Sequence, residues 1–184
     1  MSKEASLSFS HFGFFVSDLE KMKLFYSEVM GFFITDEGQF PNGQSLVFLS
    51  RDPTEHHQLV LIGGCPEDNS FNRINQISFF VKDLEELRSF FFAIENGTVA
   101  DLQAITHGNA WSIYFRDPEG NRIEVYTHTP WYVSQPLREP IDLRLEVEAI
   151  HKHTEDLCRT LPGFQSRDNW FQTMKTLMHS EQDK

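Results

Sequence analysis

Only two cysteines, Cys65 and Cys158, occur in 184 residues. Two cannot form a disulfide framework, and they lack the paired spacing of a zinc site, so both read as reduced thiols. Basic residues are also scarce, 16 Lys and Arg against 27 Asp and Glu, for a net charge of -11. That sign argues against a nucleic acid or an anionic bilayer as partner. No apolar run approaches the roughly 18 residues that cross a membrane, and no basic stretch followed by an apolar core marks a secretory leader. The expectation is a cytoplasmic protein with no membrane partner. Disorder, collagen and coiled coil are excluded in turn, because hydrophobic residues at 40% and charged residues at 23% match an ordinary globular chain. What is abundant is phenylalanine, 18 residues within 14% aromatics, which points to an interior or a pocket lined with rings.

The chain repeats itself. Phe14-Phe15-Val16 and Asp18-Leu19-Glu20 recur as Phe79-Phe80-Val81 and Asp83-Leu84-Glu85, and Arg51-Asp52-Pro53 recurs as Arg116-Asp117-Pro118, all displaced by 65 residues. Two separated blocks with one displacement imply a duplicated module. The division is a tail 1–6, a first module 7–63, a linker 64–72, a second module 73–128, an extended arm 129–142 and a helical tail 143–184. Each module opens with an apolar strand, 11–16 or 76–81. A helix capped by Asp18 or Asp83 follows and ends near Gly31 or Gly97. Three more strand-like runs complete it, at 32–35, 45–50 and 58–62 and at 98–105, 111–115 and 122–126. The predicted class is α+β, two β-α-β-β-β modules with a C-terminal helical flank. Asp117-Pro118-Glu119-Gly120-Asn121 predicts a tight turn between the last two strands. Pro130, Pro136 and Pro140 exclude a helix or a strand interior in the arm. Two amphipathic helices, 143–160 and 166–180, complete the tail, the second with an apolar stripe of Trp170, Phe171, Met174, Leu177 and Met178.

Strand alternation selects the chemistry-bearing residues. His11, Gly13 and Phe15 share one face, Gln76, Ser78 and Phe80 the equivalent face in the second module, and Arg122, Glu124 and Tyr126 one face of the last strand. Glu124 is the anomaly. A carboxylate within Ile-Glu-Val-Tyr costs several kcal/mol to bury unless a cation or strong hydrogen bonds compensate, and a metal ion is the economical cation. Taken singly, His11 reads equally as a hydrogen-bonded core histidine, His57 beside His56 as a solvated pair, and Tyr114 as a core aromatic. His107 stands in a loop beside Gly108, and His128 is a reserve ligand on the Glu124 face. His151, His153 and His179 fall in the tail and receive no role.

The opening His-Phe-Gly-Phe-Phe-Val-Ser-Asp-Leu, the turn Arg-Asp-Pro-Glu-Gly-Asn-Arg with Ile-Glu124-Val after it, and the duplicated module together resemble the vicinal oxygen chelate superfamily. That superfamily includes glyoxalase I, bleomycin resistance proteins and type I extradiol dioxygenases. The resemblance covers about residues 7–128 and implies paired modules curled into a half-barrel around a divalent metal, with His11, Gln76 and Glu124 as ligands. Within it the sequence is most similar to catechol 2,3-dioxygenase and biphenyl-diol dioxygenases. That similarity implies His57 as the histidine near bound oxygen, and His107 and Tyr114 as groups that hydrogen-bond a catecholate. Gln76 stands where that branch has its second histidine ligand. An amide carbonyl is a harder, weaker donor than imidazole and favours oxygen-tolerant ions such as Mn, Mg or Fe(II); the dioxygenase resemblance implies Fe(II), with Mn(II) or another divalent ion as the substitute. The implied function is an oxidoreductase of aromatic catabolism, cleaving a catechol with dioxygen. A redox-neutral isomerase or lyase of the glyoxalase kind and a metal-free binding module are the alternatives. A homodimer or higher homo-oligomer is expected.

Overall fold

The computed structural model describes residues 9–40, 42–65 and 74–182, with side chains through Thr176. Two compact units emerge among the described residues, one of those up to residue 65 with Asp117–Gly120, the other of residues 74–116 and 121–182. The expected tail 1–6 and most of the linker 64–72 lie outside the described residues.

In the first unit the chain runs β1 (Phe12–Val16), α1 (Leu19–Leu24), a π-helical turn Phe25–Val29, then β2 (Phe33–Gln39), β3 (Ser45–Ser50) and β4 (Leu59–Gly63). The strands form one open mixed sheet ordered β1-β4-β3-β2, with β1 and β4 parallel and the other neighbours antiparallel. Asp18 caps α1 as expected, its carboxylate accepting the Lys21 N–H at 3.1 Å. Phe14 and Val16 point into the core with Met22, Tyr26, Leu49 and Leu61, while Phe15 on the opposite face of β1 stays 58% exposed. The turn Asp117–Gly120 belongs to this unit through hydrogen bonds. Tyr26 donates to Asp117 at 3.3 Å, and the Ser17 and Asp18 N–H groups donate to Glu119 at 2.7 and 2.6 Å. β2 outruns the expected 32–35 because its polar half, Asp36 to Gln39, carries no apolar alternation and is recruited by its ladder with β3.

The second unit repeats the plan with β5 (Ile77–Phe80), α2 (Leu84–Ile94), β6 (Ala100–Thr106), β7 (Ala110–Arg116) and β8 (Arg122–His128). Its order within the repeat, β5-β8-β7-β6, again has the first and last strands parallel. The α2 face is the expected one, with Leu84, Leu87, Phe91 and Ile94 buried under an Asp83 cap. The arm supplies β9 (Trp131–Tyr132) and β10 (Glu139–Pro140). The proline is no contradiction of the expected irregular arm, since β10 pairs with β6 only at the sheet edge, where a missing N–H is harmless.

The tail helices are α3 (Val147–Arg159) and α4 (Arg167–Gln182), with the two-residue β11 (Gln165–Ser166) between them. Ile150, Thr154 and Cys158, four residues apart, bury one face of α3. Trp111 of β7 donates its indole N–H to Thr154 at 2.8 Å, and the His151 ring lies edge-on to it at 4.6 Å. On α4 the expected stripe divides: Trp170 stacks on Tyr132 at 5.1 Å, Phe171 remains 51% exposed, and the side chains of Leu177 and Met178 lie outside the described residues. No helix among the described residues is long and apolar enough to cross a membrane.

Candidate functional site

The six candidate residues divide between the units. In the first, the residue ahead of β1 and the loop entering β4 bring His11 and His57 together, ring centroids 4.4 Å apart and edge to face. His57 also lies 5.0 Å from the Phe48 ring, and its Nδ1 is 3.0 Å from that of His56. Burial depresses the His57 pKa below the usual 6.5, with His11 and His56 adding to the effect. His11 Nδ1 contacts Ser10 Oγ at 3.2 Å.

The second unit brings four of the six together around Glu124. The β5–β8 register sets Ser78 opposite Glu124, and the β7–β8 register does the same for Tyr114. The carboxylate, 7% exposed, accepts from Gln76 Nε2 at 2.7 Å and Ser78 Oγ at 2.5 Å on one oxygen, and from the Tyr114 hydroxyl at 2.6 Å on the other. Three neutral donors thus meet the buried carboxylate, one of the routes by which such a group is tolerated. Burial, with Glu124 as the next cause, pushes the Tyr114 pKa up to about 12, so the hydroxyl keeps its proton.

His107 completes a chain of contacts, its Nδ1 2.6 Å from the Leu137 carbonyl and its Nε2 2.8 Å from the Tyr114 hydroxyl. A carbonyl only accepts, so Nδ1 carries a proton. The Tyr114 hydroxyl donates to Glu124 and lies against His107 Nε2 on its other side, so the three side chains form one continuous hydrogen-bonded chain.

His128 is exposed and packs on Phe80 at 5.1 Å. Among the described residues there is no group of three or more His, Cys, Asp and Glu able to hold a metal ion. The second unit nevertheless offers two oxygen donors in contact, the Glu124 carboxylate and the Gln76 amide. Three of the roughly four lone-pair sites of the carboxylate are taken, and turning the Gln76 amide would present its carbonyl, so the pair fits a hard divalent cation. Sequence reasoning passed over Ser78 as a partner of Glu124, although its alternation with Gln76 was the available signal. It also passed over Arg122 and Arg138, whose guanidinium carbons lie 4.2 and 5.2 Å from the Tyr114 ring centroid.

Two curated relatives match at low identity. Metapyrocatechase of Pseudomonas sp. (strain CF600) is 28% identical over 124 residues, 66% of this chain but 39% of that protein. Biphenyl-2,3-diol 1,2-dioxygenase 3 of Rhodococcus globerulus is 26% identical over 121 residues, 63% of this chain and 60% of that protein. The chain thus spans less than two thirds of either. Among solved structures, a glyoxylase/bleomycin resistance protein/dioxygenase domain from Frankia sp. EAN1pec superimposes with a TM-score of 0.56 at 17% identity, covering 68% of this chain and 100% of that one. The fosfomycin resistance protein FosX of Mesorhizobium loti gives 0.52 at 22%, covering 68% and 94%. At such identities these two speak for the fold alone. Residues 8–125 match the model of one family, and the chain belongs to it: the Glyoxalase/Bleomycin resistance protein/Dioxygenase superfamily.

Proposed function

We propose that the chain is a metal-dependent extradiol-type dioxygenase that cleaves a catecholic ring. The observation that carries this reading is the hydrogen-bonded His107–Tyr114–Glu124 chain, in which both groups that the dioxygenase resemblance assigns to the catecholate are joined to the proposed metal carboxylate. The proposed ligands are His11, Gln76 and Glu124, with Fe(II) as the ion and Mn(II) as the substitute. When bound, the metal supplies chelation of the two vicinal oxygens and acidifies the phenol. Tyr114 and His107 hold the second catechol oxygen, and the imidazole takes up its proton. His57 supplies an imidazole for proton transfer on the oxygen side. Both atoms of dioxygen end in the ring-opened product, so no outside reductant enters the balance.

The test is anaerobic purification, metal analysis and an oxygen-uptake screen over a panel of catechols. Uptake with a yellow product supports the reading, and chelation followed by Fe(II) should abolish and restore it. Gln76 favours a second reading, a redox-neutral isomerase or lyase, because the glyoxalase I branch that the sequence also resembles uses Gln as a metal ligand. Stoichiometric metal without oxygen uptake would select it. A metal-free binding module would instead keep its ligand affinity in His11→Ala and Glu124→Ala variants.

A further inference from the structure

A cavity of about 310 Å³ opens in the second unit, lined by Asp101, Gln103, Tyr114, Arg116, Arg122 and Arg138. It runs against the charge of the chain, since three guanidinium groups face one carboxylate in a protein of net charge -11. Arg116 is partly answered by Asp101, at 3.4 Å. The other two are not. Arg138 spends one N–H on the neutral Gln103 carbonyl at 2.6 Å, Arg122 lies 4.2 Å from the Tyr114 ring centroid, and neither forms an ion pair among the described residues. A guanidinium carries five N–H donors in a planar fork, so both arginines keep donors free for a planar carboxylate, which such a fork takes with two parallel bonds. The volume falls at the small end of ligand pockets, about 300–1,000 Å³, and suits one ring-sized acid.

We propose that this cavity holds the carboxylate of the substrate, gripped by Arg122 and Arg138, so that the ligand class is an aromatic diol bearing an acid group and not an unsubstituted catechol. Tyr114 links the two functions: its ring walls the cavity while its hydroxyl bonds Glu124. The diol half of this inference rests on the dioxygenase reading; the anion half does not.

The experiment separates the two. Calorimetric titration of the full chain with benzoate and with benzamide compares an anion with its neutral isostere, and neither carries a diol. Benzoate should bind at least about tenfold more tightly, the scale of one charge-assisted pair. Arg138→Gln, on an exposed segment where the fold is not at stake, and Arg122→Gln should each erase that preference while leaving benzamide unchanged. Equal affinities in the wild type, or a preference that survives both substitutions, overturns the anion site. The oxygen-uptake screen then compares 3,4-dihydroxybenzoate with catechol. Faster uptake with the acid, lost in Arg138→Gln, supports the full inference. A benzoate preference without uptake on any catechol sinks the dioxygenase reading and keeps the anion site, whereas equal uptake on acid and catechol sinks the assignment of the substrate.

Discussion

Replacing Tyr114 with phenylalanine removes one oxygen and leaves the ring, so it tests the Glu124 cluster with little change of packing. The hydroxyl lies 2.6 Å from a Glu124 oxygen and 2.8 Å from His107 Nε2, and the two principals are 5% and 7% exposed. A hydrogen bond to an ionised group contributes about 1.5–3 kcal/mol, and here its loss leaves one carboxylate oxygen without its donor. Gln76 and Ser78 still serve the other oxygen, so the expected cost is the deleted bond alone, about 2 kcal/mol. Urea unfolding followed by tryptophan fluorescence reads it cleanly, because Trp111, Trp131 and Trp170 are all in the second unit. With a urea slope of about 1–3 kcal/mol per molar, the midpoint should fall by about 1 M. Glu124→Gln, alone and combined with Tyr114→Phe, should give a coupling of about 1.5 kcal/mol or more. A midpoint drop below about 0.3 M, or additive single effects, would refute the Tyr114–Glu124 hydrogen bond as a stabilising contact.

Three further perturbations probe the frame. Thr154→Val keeps shape but strands the buried Trp111 indole N–H, which donates at 2.8 Å; the fluorescence midpoint should register about 1–3 kcal/mol, and no change would mean that α3 docks by shape alone. Gly108→Ala forces a side chain onto φ +73° with its Cβ 2.5 Å from a Val133 methyl. A loss of at least about 1–2 kcal/mol should appear, with a wild-type midpoint as the refuting result. The Tyr26 pKa is raised above its usual 10.0, chiefly by burial and secondly by Asp117. Its contribution is therefore complete below about pH 10 and lost as pH rises further, so the deficit of Tyr26→Phe should shrink on the alkaline side. Absorbance at 295 nm should show this phenol ionising only as the first unit unfolds; early ionisation in the folded protein would contradict its burial.

The elements and their faces are legible in the chain alone, because these depend on local periodicity. The displacement of 65 residues between Phe14-Phe15-Val16 and Phe79-Phe80-Val81 announced two copies of one plan. Asp18 and Asp83 announced where α1 and α2 begin, and alternation put Gln76 with Ser78 and singled out Glu124 as a carboxylate among apolar neighbours. It could not say what would compensate that carboxylate. Its three donors come from 48, 46 and 10 residues away and meet it only through the registers of β5 and β7 on β8, so the fold sets them and the local pattern does not. A strand pattern fixes which way a side chain points, whereas pairing register fixes whom it meets. The same limit hid the contact of Arg138 with the Tyr114 ring and of His151 with Trp111. Both reach the sheet from an arm and a helix whose paths no periodicity in the chain encodes.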